Sequence, residues 1–335
     1  MRKEKKHANV KVDLMPSSVP LQDGPVCIVA IAKDEQNYIS EFIRYHLAIG
    51  FDKIVLYDNE DTPTYEALLK QELHPAEYAK MHILHFPRPR NTEGMQYRAL
   101  DHFIHHFMCN YGYAMHIDVD EFLVLKKHSD IQSFIREWID PEPLCAGVGF
   151  NWKLFGDAGQ PSPFPEEGGS GDFCVLGRFT RSEQKLNRHI KTLFRTRDIQ
   201  QFLTVHHIQT KRRPGVYIKS VETVPRKLSG PFHHTEDDSI AQLNHYKVKS
   251  RAEFHKRWRR GLADFSYSDR PNQLRMKGDR PCKRCLTDTT RTRWRTPRHV
   301  IFTYRVFLFD VCCGCSLVPL SYIMIFQSDN TIHTS

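Results

Sequence analysis

Short apolar runs, each followed by a stretch of helical periodicity, constrain this chain more than any other feature. "VCIVAIA" (26–32) is continuous and rich in β-branched residues, which suits a strand buried on both faces. "YISEFIRYHLAIG" carries apolar residues at Ile39, Phe42, Ile43 and Leu47 and stops at Gly50, predicting a helix with one core-facing stripe. The alternation repeats through "KIVLYDN", "TYEALLKQEL", "MHILHF" and "MQYRALDHFIHHFMCN" to "YAMHIDVDEFLVL" (113–125), read as one further strand. Parallel neighbours need crossover connections, so this order predicts an α/β three-layer sandwich with a mainly parallel central sheet.

Ligands of such sheets bind beyond the carboxyl ends of the strands. Three strand ends carry polar clusters: Lys33, Asp34 and Glu35; Asp58, Asn59 and Asp61; and Asp118, Asp120 and Glu121. Parallel strands put all three on one edge. Alternation along a strand turns Asp118 and Asp120 to the same side and Glu121 away. Two carboxylates a few ångströms apart repel by about 1 kcal/mol in water and several near a protein surface. A divalent cation reverses that sign, and hard oxygen ligands suit Mn²⁺ or Mg²⁺. The plainer alternative is pairing with Lys126 or Lys127 on a solvated face. Histidine is the usual supplement, and His245, His206 and His207 are available. His102, His105 and His106 have a metal-compatible spacing but no acidic partner, and read as a polar helix face.

After residue 145 the pattern loosens. "GVGFNWKLFG" predicts a strand, 157–172 a Gly/Pro/Ser-rich loop, "HIKTLFR" and "FLTVHHIQ" short strands, and "SRAEFHKRWRRGLADF" a helix whose Ser250 cap stands three residues before Glu253. The organisation is a basic, disordered tail over 1–25, one domain over 26–265, and a basic, cysteine-containing region over 266–335. The net charge of +9 favours anionic partners, whether nucleic acid, phospholipid or a phosphorylated small molecule. No apolar stretch near the start suits a signal peptide or anchor. The nine cysteines are an odd number, and Cys27, Cys109, Cys145 and Cys174 are scattered singly, so no disulfide framework is expected in the main domain. "CKRC" (282–285) and "CCGC" (312–315) are spaced like a four-cysteine zinc site, although the second lies in an apolar run. Residues 306–326 approach spanning length but contain Asp310 and Pro319. Membrane association with acylated cysteines, a buried apolar segment and a poorly structured tail are the three readings of that stretch.

Three motifs in order resemble the GT-A type glycosyltransferases of family 92 and its family-2-like relatives, over about residues 26–265. "AIAKDEQNYISEFIRYHLAIGFDKIVLYDN" is similar to that family's K-N-E strand end, E-W-x-x-Y-H helix and Y-D-N. "HIDVDEFL" resembles its D-x-D-E-F, and "NHYKVKSRAEFHKRWRRG" its N-H-Y-x-x-K-S-x-x-E-F. The resemblance implies a nucleotide-sugar donor whose diphosphate is bridged by Mn²⁺ or Mg²⁺ to Asp118 and Asp120, with His245 completing the coordination. Lys33, Asp34, Glu35, Asp58 and Asn59 would line the nucleotide pocket together with Asp118, assisted by Lys191 and Lys247. Asp34 stands where the family carries Asn, and Asp157 where Ser is expected. Inversion, also implied by the resemblance, needs a base for the acceptor hydroxyl; Asp157 and Glu183 follow the donor half and are the acids available. The expected function is transfer of a hexose from a nucleoside-diphosphate sugar to a glycan or glycoconjugate. A nucleotidyltransferase could use the same edge, but "AIAKDEQNY" lacks a Gly-rich phosphate loop. A nucleic-acid-binding protein acting through "RTRWRTPRH" is the alternative from another class.

Overall fold

The computed structural model describes residues 21, 23–89, 94–163, 174–211 and 214–260. The expectations for the tail over 1–20, for both cysteine clusters and for the apolar stretch at 306–326 lie outside the described residues. In chain order the elements are β1 Val26–Ala32, α1 Ile39–Ala48, β2 Lys53–Asp58, α2 Tyr65–Glu72, α3 Pro75–Tyr78, β3 Met81–His85, α4 Met95–His106, β4 Tyr113–His116, β5 Glu121–Leu125, α5 Ile131–Trp138 and β6 Cys145–Leu154. They continue with α6 Val175–Arg178, β7 Asn187–Arg195, β8 Ile199–Thr204, β9 His207–Thr210, β10 Tyr217–Ser220, β11 Lys227–Leu228, β12 Ala241–His245 and α7 Arg251–Arg260. The chain divides into two compact units, one built from 1–152 with 187–244, the other from 153–186 with the residues from 245 onward.

The first unit holds the sheet, ordered β11-β10-β6-β7-β4-β1-β2-β3, with β12 pairing both β5 and β6. β1 runs parallel to β2 and β4, β2 to β3, and β6 to β10. β7 runs antiparallel between β4 and β6. Alternation divides the core into two layers around the sheet. Cys27, Val29, Val55 and Tyr57 pack with Ala99, Leu100 and Phe103 of α4 and with Ile199 and Ile208 of the β8–β9 hairpin. On the other side Phe42 of α1 meets Phe122, and Phe134 of α5 meets Phe150. This is the expected GT-A-like sandwich with a mainly parallel sheet.

Two strand readings need correction. "YAMHIDVDEFLVL" is two strands, β4 and β5, separated at Ile117–Asp120. The break is a turn in which Glu121 N–H donates to Asp118 O (2.9 Å) and Asp118 N–H donates to the Glu121 carboxylate (2.9 Å). Side chains therefore do not alternate through it, and Glu121 faces inward with no exposure. "FLTVHHIQ" is not one strand either: it turns at Val205–His206 to form the β8–β9 hairpin.

In the second unit, Phe155 bridges Ser182, its N–H donates to His245 O (3.0 Å), and its ring packs on Tyr246 (4.6 Å between centroids). Ser250 and Glu253 form the expected cap of α7: Glu253 N–H donates to Ser250 Oγ (3.3 Å) and Ser250 N–H to Glu253 Oε2 (3.1 Å). None of the four described cysteines forms a disulfide. Among the described residues no helix is long and apolar enough to cross a membrane.

Candidate active site

The carboxyl ends of β1, β2 and β4 share one edge of the sheet in the first unit, because those strands are parallel and adjacent. The loop after β1 is held by the loop after β2. Glu60 Oε1 accepts from Asp34 N–H (2.6 Å), from the Gln36 amide (2.9 Å) and from the Tyr65 hydroxyl (3.1 Å). Tyr65 Oη in turn accepts from Glu35 N–H (2.9 Å). Asp34 adopts φ = 58°, a left-handed conformation that Asn and Asp tolerate best among residues with a side chain. That accounts for Asp being acceptable where the resembled family has Asn. Lys33 reaches Asp61 (3.1 Å).

Asp58 is 1% exposed and its carboxylate accepts three backbone N–H groups, from Glu60 (3.1 Å), Thr64 (2.7 Å) and Tyr65 (3.0 Å). It thereby holds the loop and satisfies orphan donors at the start of α2. Asn59 donates to Phe86 O (2.8 Å) and is also buried. Both residues hold the loop after β2 through these bonds.

At the end of β4 the charges converge. Lys191 of β7, without solvent exposure, lies 3.2 Å from Asp118 Oδ2 and 3.6 Å from Glu121 Oε2. The Gln96 amide of α4 donates to Asp118 Oδ1 (2.8 Å), and His116 Nε2 stands 4.0 Å from the same oxygen. Asp120 is buried beside them in sequence. Burial pushes the Glu121 carboxyl well above the usual range, Lys191 pulls it down, and Asp118 and Asp120 push it up again. Burial alone would lower the Lys191 ammonium, but Asp118, Glu121 and Asp120 outweigh it and leave its pKa raised. Burial and then Lys191 lower His116 to about 4.

One sequence motif turns out to serve this turn. Tyr45 of α1 donates its hydroxyl to Leu123 O (2.7 Å), and Leu123 N–H donates to His46 Nε2 (3.4 Å), so one Y-H pair grips both backbone groups of a residue in β5. His46 Nδ1–H donates to Phe42 O (2.8 Å), which fixes its tautomer, and burial lowers its pKa to about 3.

The sequence-predicted residues are thus distributed unevenly. Asp118 and Lys191, 73 positions apart, are brought together. His206 sits at the hairpin tip with Nδ1 donating to Ile190 O (3.0 Å); burial lowers it to about 3, with Lys191 lowering and Asp118 raising it. His102 contacts Tyr57 Oη (3.0 Å) and stacks near His106, consistent with a helix face. His245 is buried at the end of β12 and belongs to the second unit, as do Asp157, Glu183 and Lys247. Asp157 accepts from Gly159 N–H (3.0 Å) and from Arg251 Nε (2.9 Å), occupying both carboxylate oxygens. Glu183 N–H donates to Leu154 O (2.9 Å), and Lys247 is exposed. Among the described residues no three His, Cys, Asp or Glu side chains are gathered to hold a metal. Glu60, Gln96 and Tyr65 were not singled out by sequence; Glu121 was, but as an acid turned away from Asp118 and Asp120, and the Y-H pair only as part of a motif.

No curated protein matches the chain. The model of glycosyltransferase family 92 matches residues 25–275, most of its length. With a GT-A-like sheet and an acid-rich turn at the end of β4, the chain belongs to glycosyltransferase family 92 and is a glycosyltransferase, acting between a sugar donor and a glycan acceptor.

Proposed function

We propose that the protein moves a hexose from a nucleoside-diphosphate sugar to a glycan hydroxyl with inversion, using Mn²⁺ or Mg²⁺ held by Asp118 and Asp120. The observation that carries this is the surplus of acid at the β4–β5 turn. Three carboxyl groups lie there against one buried lysine; burial raises the Glu121 pKa, and Asp118 and Asp120 raise it further. Hard oxygen donors in excess of positive charge fit a divalent cation, and such sites commonly combine one or two carboxylates with the phosphates of the substrate. His245 enters as a third ligand on the family resemblance alone. Bound there, the cation would act as a Lewis acid toward the departing diphosphate.

The chain's own groups do the positioning. Gln96 and Lys191 fix the Asp118 carboxylate through its two oxygens, so it meets a ligand without a search among rotamers. Lys191 offsets part of the acid charge that would otherwise repel a diphosphate. Glu60 and Tyr65 hold the Lys33–Glu35 loop against the loop after β2, where the nucleotide is proposed to lie. For the base, Asp157 and Glu183 are the two acids proposed, and Asp157 is held in place by Gly159 N–H and Arg251.

The test is calorimetric titration of nucleoside diphosphates with and without Mn²⁺, followed by a screen of nucleotide sugars for diphosphate release. Mn²⁺-dependent binding of one diphosphate, lost in Asp120→Ala, is expected. Equal binding with and without Mn²⁺, unchanged in Asp120→Ala, would refute the metal reading.

A further inference from the structure

A line of rings leaves the charged turn along β7 and ends at the surface. His206, close enough to Asp118 and Lys191 for both to perturb it, meets Trp152 edge-on (4.9 Å between centroids). Trp152 stacks on His189 (4.9 Å, 21° between planes), and His189 meets Phe232 edge-on (4.9 Å, 82°). His189 and Phe232 also form a backbone bridge, and the His189 imidazole is fixed by Asn187 Oδ1 (2.7 Å). The Arg188 guanidinium lies 4.7 Å from the Phe232 ring centroid. Despite this bracing, Phe232 keeps 49% of its surface exposed.

A half-exposed phenylalanine supported from behind by a rigid stack costs hydration free energy that folding alone does not require. Strand geometry puts His189 only about 7 Å along β7 from Lys191, which places Phe232 near enough to serve a ring linked to the sugar that reacts. The C–H face of a pyranose is the apolar surface of an otherwise polar glycan, and a flat aromatic is its natural complement. The Arg188 guanidinium, lying over the Phe232 ring, brings donors for ring hydroxyls to the same aromatic.

We propose that Phe232, braced by His189, which Trp152 backs in turn, and carrying Arg188 over its ring, is a stacking platform for a pyranose ring of the acceptor glycan. The inference rests on the glycosyltransferase assignment and on the β4 edge being the donor side, and its test separates the two. Full-length protein is titrated with lactose, chitobiose and mannotriose by saturation-transfer NMR, and in parallel with uridine diphosphate plus Mn²⁺ by calorimetry. At least one sugar should show saturation at its ring C–H protons, weakened about tenfold in Phe232→Ala and retained in Phe232→Trp. Diphosphate binding should be the same in all three proteins. Sugar saturation without any diphosphate binding by the wild type sinks the donor reading and leaves the platform standing. Saturation by none of these sugars, or equal saturation in Phe232→Ala, overturns the platform.

Discussion

Lys191→Met is the most direct probe of the charged turn. Lys191 has no exposure, and at 3.2 and 3.6 Å from Asp118 and Glu121 each attraction is about 5 kcal/mol at an effective dielectric of about 20. Desolvation of the three groups opposes most of that gain, so the pair is weak evidence of net stabilisation while it is intact. Removing the lysine alone is different, because two carboxyl groups then remain in a buried turn without their cation. The expected loss is about 3–5 kcal/mol of unfolding free energy. Glu121→Gln keeps an acceptor for Asp118 N–H while removing the acid that has no route to water, and it should recover about 2 kcal/mol in the Lys191→Met background. Urea unfolding followed by tryptophan fluorescence at neutral pH supplies all four corners of the cycle, with the slopes compared to exclude a change of unfolding mechanism. Two single effects that add to within about 0.5 kcal/mol would show that Lys191 and Glu121 are not coupled, and the account of the turn would fall.

The buried histidines predict the acid limb of stability. His46, His116 and His206 have folded pKa values of about 3, 4 and 3, below the ordinary 6.5 of the unfolded chain. The unfolded state therefore takes up protons first. Their contribution is fully present above pH 6.5 and is lost as pH falls toward the folded values, at about 1.4 kcal/mol per pH unit for each group. Chemical denaturation between pH 6 and 5 should show a steep decline that is shallower by one such increment in His46→Gln, whereas a flat profile would contradict the neutral assignments. Asp58→Ala strips three backbone N–H groups of their acceptor and should cost about 2–4 kcal/mol, with Asp58→Asn milder. Thermal unfolding distinguishes that from a pure binding role, which would leave the melting temperature unmoved.

How much of this could be read from residues alone follows from range. The parallel core was legible because strands buried on both faces are continuous apolar runs, and helices between them keep their stripe. The β4–β5 turn was not, because it contains no Gly or Pro and is flanked by buried residues on both sides, so period-two reading ran straight through it. The hairpin tip at Val205–His206 misled for the same reason. Lys191 looks like a surface residue in "HIKTLFR"; its burial depends on carboxylates some 73 positions earlier, which no local pattern reports. Gly147 carries a comparable long-range meaning: a Cβ there would lie 2.5 Å from Leu193 O, so the close approach of β6 to β7 requires its absence.

The motifs that mark this family in the chain are accordingly more than a roll of ligand contacts. Tyr45 and His46 hold Leu123, Gln96 and Lys191 hold Asp118, and Glu121 closes the turn between them. Apart from the Glu121 closure, each bond joins an element distant in sequence to one short acid-bearing segment. A carboxylate on a loose turn would relax away from like charges, and restoring the geometry the proposed cation needs would then cost ordering entropy. Fixing the turn from α1, α4 and β7 meets that cost once, at folding. On this view Y-H and D-x-D-E-F are two halves of one device, and a substitution at Tyr45 or His46 should weaken the Mn²⁺ binding proposed for Asp118 and Asp120 without touching either residue.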